Sequence, residues 1–245
     1  MENRVQLPQF VHRLGKDERF TFDCHSGVSC FTQCCRMLEL ALTPYDVLRL
    51  RRGAGCSSSE MLEKYIIMEH EPGEPFPRFY LTMVDDGRAS CVFVGRRGCT
   101  VYDHRPSACR SYPLGRAVMR VDGDRLEEHF VLIKEHHCQG FSEARVNTAA
   151  TYGQHQGLAE YNHFNDRLAA ILQHDAVRNG FIPSVGQVDK FILSLYDLDT
   201  FKDRLLTDRL GGIKPDEQQM NKMEDDRELL GFAIDWLCDQ LFSGL

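Results

Sequence analysis

Four cysteines fall within twelve residues of this chain, in the run Cys24-His25-Ser26-Gly27-Val28-Ser29-Cys30-Phe31-Thr32-Gln33-Cys34-Cys35, and the last two are adjacent. Neighbouring cysteines seldom bond to each other, because a disulfide across one peptide link is strained, but their side chains can diverge toward two metals or two edges of one cluster. A chain of 245 residues, 42% of them hydrophobic, can build an ordinary core, so its ten cysteines are not the staples of a small secreted scaffold. The first twenty residues hold no apolar run of signal-peptide length, and no later stretch approaches the roughly 20 apolar residues of a membrane span. We therefore expect a cytoplasmic protein. In that reducing setting clustered thiols read as metal ligands or catalytic groups rather than disulfides.

Downstream stand Cys91, Cys99, Cys109 and Cys138, each in a turn-prone or short-element context, so they can converge with the first four. Eight thiols make two sets of four, and tetrahedral sulfur coordination suits either zinc or an iron–sulfur cluster. None of the eight forms the C-x2-C knuckle typical of zinc ribbons, which tilts the reading toward an iron–sulfur cluster of the 4Fe–4S kind. Cys56 and Cys238 lie outside these motifs and are read as ordinary cysteines. His25, His136 and His137 adjoin cysteines, but with eight thiols to hand they are not needed as ligands. A face collecting His155, Glu160, His163 and Asp166 matches no known metal spacing and reads as a solvated surface.

Nine of the ten cysteines lie between Cys24 and Cys138, which suggests a cysteine-cluster region over residues 1–145 and a helical region over 146–245. In the first, Thr43 and Pro44 read as the N-cap and first residue of a helix closed at Gly53 or Gly55. A second helix is expected from Glu60 to Ile67, capped by one of Ser57 to Ser59. Strands are expected over 79–84, followed by a turn at Asp85-Asp86-Gly87, and around 91–94, 117–121 and 129–133. The second region reads as helices over 158–174, 188–195, 200–206 and 224–241. The last carries the apolar stripe Leu229, Leu230, Ala233, Trp236, Leu237 and Leu241, a packing face. The expected fold class is α+β and helix-rich, a loop-rich cluster region with short strands followed by an all-helical region.

The net charge of −7 is uneven: residues 1–145 carry 20 Lys and Arg against 20 Asp and Glu, residues 146–245 carry 9 against 16. Acidity of this kind argues against nucleic acid as a partner, and nothing suggests a membrane; a protein partner is left open. No serine-hydrolase, P-loop or dinucleotide fingerprint occurs.

The chain resembles the YkgJ-type cysteine-cluster proteins, the CxxCxxCC family named for zinc or iron chelation, which includes relatives of the flagellin lysine N-methylases. The resemblance rests on Cys24, Cys30 and Cys34-Cys35, on Leu42 to Leu50, on the run from Gly98-Cys99 through Arg105-Pro106 and Cys109-Arg110 to Gly115, and on Cys138-Gln139-Gly140. The family motif is C-x2-C-x2-C-C, whereas the gaps here are five and three residues. The resemblance implies eight metal-linked cysteines: Cys24, Cys30, Cys34, Cys35, Cys91, Cys99, Cys109 and Cys138. Arg105 and Arg110, flanking Cys109, are expected to donate to sulfur or offset thiolate charge, and Tyr102 and Tyr112 to close over the site. The principal expectation is a metal-binding protein in redox, metal handling or structural support. The alternative is a protein-lysine methyltransferase-like enzyme using S-adenosylmethionine, with the metal centre as an accessory.

Overall fold

The computed structural model describes residues 7–121, 125–210 and 215–243. In chain order these form strands β1 (Val11–Leu14) and β2 (Phe20–Thr21), helices α1 (Pro44–Ala54) and α2 (Ser58–Tyr65), and strands β3 (Ile66–Glu69) and β4 (Arg78–Leu81). The short strands β5 (Met83–Val84), β6 (Ser90–Cys91), β7 (Val94–Gly95) and β8 (Gly98–Cys99) follow, then α3 (Ser107–Ser111), β9 (Leu114–Arg120), β10 (Leu126–Ile133) and β11 (Val146–Asn147). The rest is helical: α4 (Ala149–His155), α5 (Ala159–Leu172), α6 (Asp175–Arg178), α7 (Val185–Leu195), α8 (Leu198–Leu206), α9 (Glu217–Lys222) and α10 (Asp226–Phe242). The fold is α+β, with short antiparallel strands early and helices late.

The chain divides into two compact units that interleave in sequence. One, the thiol-bearing unit, comprises Met1–Leu38, Met83–Thr100 and Ser107–Glu160; the other, the helical unit, comprises Glu39–Thr82, Val101–Pro106 and Tyr161–Leu245.

In the thiol-bearing unit, β10 pairs antiparallel with β1 and β9 in a three-stranded sheet of order β1-β10-β9. Alternation along these strands puts Leu14, Leu114 and Leu132 on one buried face, where they join Phe20, Phe22, Ala149 and Tyr152. Phe22 sits edge-on to Tyr152, Tyr112 and Phe141 at centroid distances of 5.9, 6.2 and 5.2 Å. This core is small for the length of chain it supports.

The helical unit begins with two helices whose starts are set by local chemistry. The Asp46 carboxylate accepts hydrogen bonds from both the backbone N–H and the hydroxyl of Thr43, at 2.9 Å each, and Gly55 closes α1 at φ 66°. Ser57 and Glu60 form the equivalent box at α2. The expected helix to Ile67 stops at Tyr65 instead. The β-branched Ile66 and Ile67 are better accommodated in an extended backbone, and they pair with Leu81 and Tyr80 of β4. Every residue of the apolar stripe expected in the last helix is buried, with Leu230, Ala233 and Leu237 at 0% exposure. Stacked rings, Tyr45 on Phe164 at 4.7 Å and Phe79 on Tyr196 at 3.6 Å, fill the remainder. Arg51, one-tenth exposed, is held between Asp199 at 2.8 Å and Asp226 at 2.5 Å.

Candidate metal centre

All eight cysteines singled out by the sequence lie in the thiol-bearing unit, and the two set aside, Cys56 and Cys238, lie in the helical unit. None of the ten is in a disulfide.

Three chain segments meet to gather the thiols. The first meeting is made by β2 and β11, whose pairing continues as Phe22 N–H donates to Arg145 C=O at 2.9 Å and Asp23 N–H to Gly140 C=O at 3.1 Å. Asn147, buried, clamps the same strand by donating its amide to Phe22 C=O at 2.8 Å. The approach is so close that a Cβ on Gly140 would lie 2.5 Å from the Phe22 ring and 2.7 Å from Asp23 C=O. Only glycine fits there. Cys24, next to Asp23, is thereby brought to the neighbourhood of Cys138, two residues before Gly140.

A second link runs from Gln139, whose backbone N–H donates to the Cys30 sulfur at 3.2 Å. The third joins the segment after Cys35 to the segment before Cys91: Arg36 bridges Ser90, and Met37 N–H donates to Ala89 C=O at 2.9 Å. The tiny hairpin of β7 and β8 then places Cys99 opposite Val94, with Phe31 packed over Gly98, where a Cβ would meet its ring at 3.2 Å.

The electrostatics register this gathering. Cys24 is pushed up to about 11 by partial burial and then by the thiols of Cys34, Cys30 and Cys138. Cys34 is raised by its hydrogen bond with Cys35, by burial and by the charges of Cys35 and Glu135. Burial raises Cys91 first, with Cys99 adding, while backbone N–H groups of Phe93 and Val94 pull the other way. Cys138 is raised by burial and by Cys30 and Cys34, while the nearby Tyr112 phenol and the Gly140 backbone pull the other way. Tyr112 is itself raised by burial, then by Cys138 and Glu135. Thiols brought together resist ionising together, and a bound cation removes that cost. The Gln139 N–H on Cys30, and the backbone effects that lower Cys91 and Cys138, favour deprotonated sulfur, the form that binds metal.

The donor chemistry therefore fits zinc or iron. The thiols are gathered within electrostatic reach and not closed into a shell: among the described residues, no three His, Cys, Asp or Glu side chains converge on a point that could hold a metal ion. Cys109 lies exposed on α3, three residues before Tyr112. Arg110, on the same helix, donates to Gln156 C=O at 2.9 Å. Arg105 and Tyr102 belong to the helical unit, where the guanidinium stacks on the phenol ring at 3.8 Å. His25 is engaged at both nitrogens: Nδ1 accepts from Gly27 N–H at 3.1 Å and Nε2 faces Glu143 at 3.5 Å. Glu135, beside Cys34 and Tyr112, was not among the sequence-derived candidates, because nothing in its local spacing marks it. Gln139 acts through its backbone, which no residue type advertises.

The chain matches no curated protein and no solved structure. Among family models, residues 23–139, slightly less than half of the chain, match the one described as "Putative zinc- or iron-chelating domain". That span carries all eight of the candidate thiols, and over it the chain is similar to the CxxCxxCC family.

Proposed function

We propose that the thiol-bearing unit is a metal-binding module in which Cys24, Cys30, Cys34 and Cys138 act as one donor set and Cys35, Cys91, Cys99 and Cys109 as a second, holding an iron–sulfur cluster in preference to zinc. The observation that carries the reading is the proximity of Cys24, Cys30 and Cys34 to Cys138, from a segment over a hundred residues away, marked by the Gln139 N–H on the Cys30 sulfur and by the mutual effect of these four thiols. The family match supports zinc or iron chelation. The preference for iron–sulfur rests on the lack of any C-x2-C knuckle among the eight. Such a cluster supplies one-electron transfer, whereas zinc supplies a structural clamp. The chain's own part is the same in either case: the Gln139 N–H stabilises the Cys30 thiolate, the backbone beside Cys91 and Cys138 favours the ionised sulfur, and the Tyr112 phenol lies close to Cys138.

The reading places the protein in a reducing compartment such as the cytoplasm, where the thiols stay available. No helix among the described residues is long and apolar enough to cross a membrane. No observation favours methyl transfer. Every strand pair among the described residues is antiparallel, unlike the parallel βαβ setting of a glycine-rich cofactor loop.

Anaerobic purification followed by an absorption spectrum and metal analysis tests the proposal. Iron and sulfide with broad absorption in the blue support it. A colourless protein with stoichiometric zinc replaces the cluster by zinc, and a protein retaining neither metal removes the proposal.

A further inference from the structure

Beside the gathered thiols, within the same unit, lies an open cleft of about 700 Å³ lined by Phe31, Thr32, Arg36, Met37, Arg88 and His137, among others. That volume is within the range of small-molecule sites. Its walls come from three segments: the stretch through Cys34-Cys35, the turn before Cys91 and the residues before Cys138.

Two features set the cleft apart from an ordinary surface hollow. The first is charge. Among the described residues no carboxylate pairs with Arg36 or Arg88. Arg36 donates through one terminal nitrogen to Thr32 C=O at 2.6 Å, and its Nε is buried with no hydrogen-bond partner. The nearest acid to Arg88 in sequence, Asp86, is occupied by the backbone N–H groups of Arg88 and Ser90 at 3.0 and 3.2 Å. A guanidinium with a buried, unsatisfied N–H, as Arg36 has, calls for an acceptor, and the exposed Arg88 brings a second positive charge to the same cavity. The second is backbone strain. Of the four non-glycine residues with positive φ among those described, two line the cleft, Thr32 at 67° and Met37 at 51°, and a third, Ala89 at 46°, follows the lining residue Arg88. Such conformations persist where the surroundings hold them, and they collect at ligand sites.

The apolar part of the lining gives the ligand its second half. Met37 is 82% exposed and Phe31 half-buried, an arrangement that leaves apolar surface open beside the guanidinium groups.

We propose that the cleft binds a small organic anion, its carboxylate or phosphate on Arg36 and Arg88 and its apolar body against Phe31 and Met37. The ligand then lies next to the thiol segments, so the site is a substrate or effector position for whatever the metal centre does. The inference stands on the two arginines and the strained loops, and holds whichever metal the thiols carry.

Calorimetric titration of the full chain, with its metal content measured, tests it using phenyl phosphate, benzoate and uncharged benzyl alcohol as probes. Saturable binding of at least one anion at one site per chain is expected, with the alcohol silent; the tighter anion identifies the head group. Arg36→Gln and Arg88→Gln should each weaken that binding at least tenfold with metal content unchanged. Arg88 is exposed in a turn, so its variant folds even if the Arg36 variant does not. Failure of both anions to saturate overturns the proposal, as does binding indifferent to Arg88→Gln. If Arg36→Gln sheds metal while Arg88→Gln leaves affinity intact, Arg36 serves the thiolates and the anion site is refuted.

Discussion

The helical unit and the thiol-bearing unit build their interiors from different materials. In the former, Tyr45, Phe79, Phe191, Phe201, Leu50, Met61, Ile171, Leu195, Leu229, Leu230 and Leu237 are essentially without solvent exposure. In the latter, Phe22 is the one large side chain so completely buried among the described residues. The same unit carries eight thiols, several at pKa-shifting proximity, with Cys138 packed against the Phe22 cluster and Cys30 accepting a backbone N–H. The helical unit stays folded by removing apolar surface from water. The thiol-bearing unit has less such surface to remove, and on the function proposed above metal–thiolate bonds supply the remainder, as they do in metal-dependent domains. Stability and metal content should therefore be coupled in one unit and independent in the other.

The sharpest way to break that contrast is to remove donors. Cys30→Ser combined with Cys138→Ser should abolish metal retention by elemental analysis and unfold the thiol-bearing unit, because structural metal–thiolate binding is worth on the order of 10 kcal/mol. Amide protection over α7, α8 and α10 should survive. The reciprocal experiment is Leu230→Ala, in a side chain with 0% exposure. It should cost about 2–5 kcal/mol in the helical unit, read as an earlier denaturant midpoint there, with metal content unchanged. A smaller effect is expected from Gly140→Ala, whose methyl group meets Phe22 and Asp23 C=O. Forcing those segments apart should cost about 1–3 kcal/mol and lower metal occupancy, although no thiol has been touched.

The smallest effect concerns acid. Asp225, the N-cap of α10, is held at about 2 by the Arg227 side chain and backbone N–H. Its folded pKa lies below the unfolded value of about 3.9, so its contribution is present above that value and fades as pH falls toward 2. Because the pair is largely exposed, the loss is slight. Asp225→Asn should flatten the corresponding decline in the melting temperature of the helical unit between about pH 4 and 2.

Features that depend on neighbours in sequence were legible from the chain alone. Thr43 with Pro44, a serine cap among Ser57 to Ser59, and the stripe from Leu229 to Leu241 each carry their structural instruction within a few turns; the cap proves to be Ser57, and the other two appear as read. Where a distant strand competes, local pattern misleads: Ile66 and Ile67 fit a helix by spacing, and β4 claims them. The strand Val11–Leu14 was invisible for the same reason, since it exists through pairing with Phe130 to Ile133, over a hundred residues away. The cysteines were legible as a group because their side chains advertise their chemistry. How they are brought together was not, since the Gly140 approach and the Gln139 N–H are backbone events spanning more than a hundred residues. Arg36 adjoins Cys35 in sequence, yet only the folded cleft gives it meaning.

Hydrogen exchange on the full chain, resolved by segment before and after chelation of the metal, tests the division of labour most directly. The account predicts that protection collapses across β1, β9, β10 and the segments bearing Cys24 to Cys35 and Cys91 to Cys99, while α7, α8 and α10 remain protected. Undiminished protection of the thiol-bearing unit in the metal-free chain would contradict it.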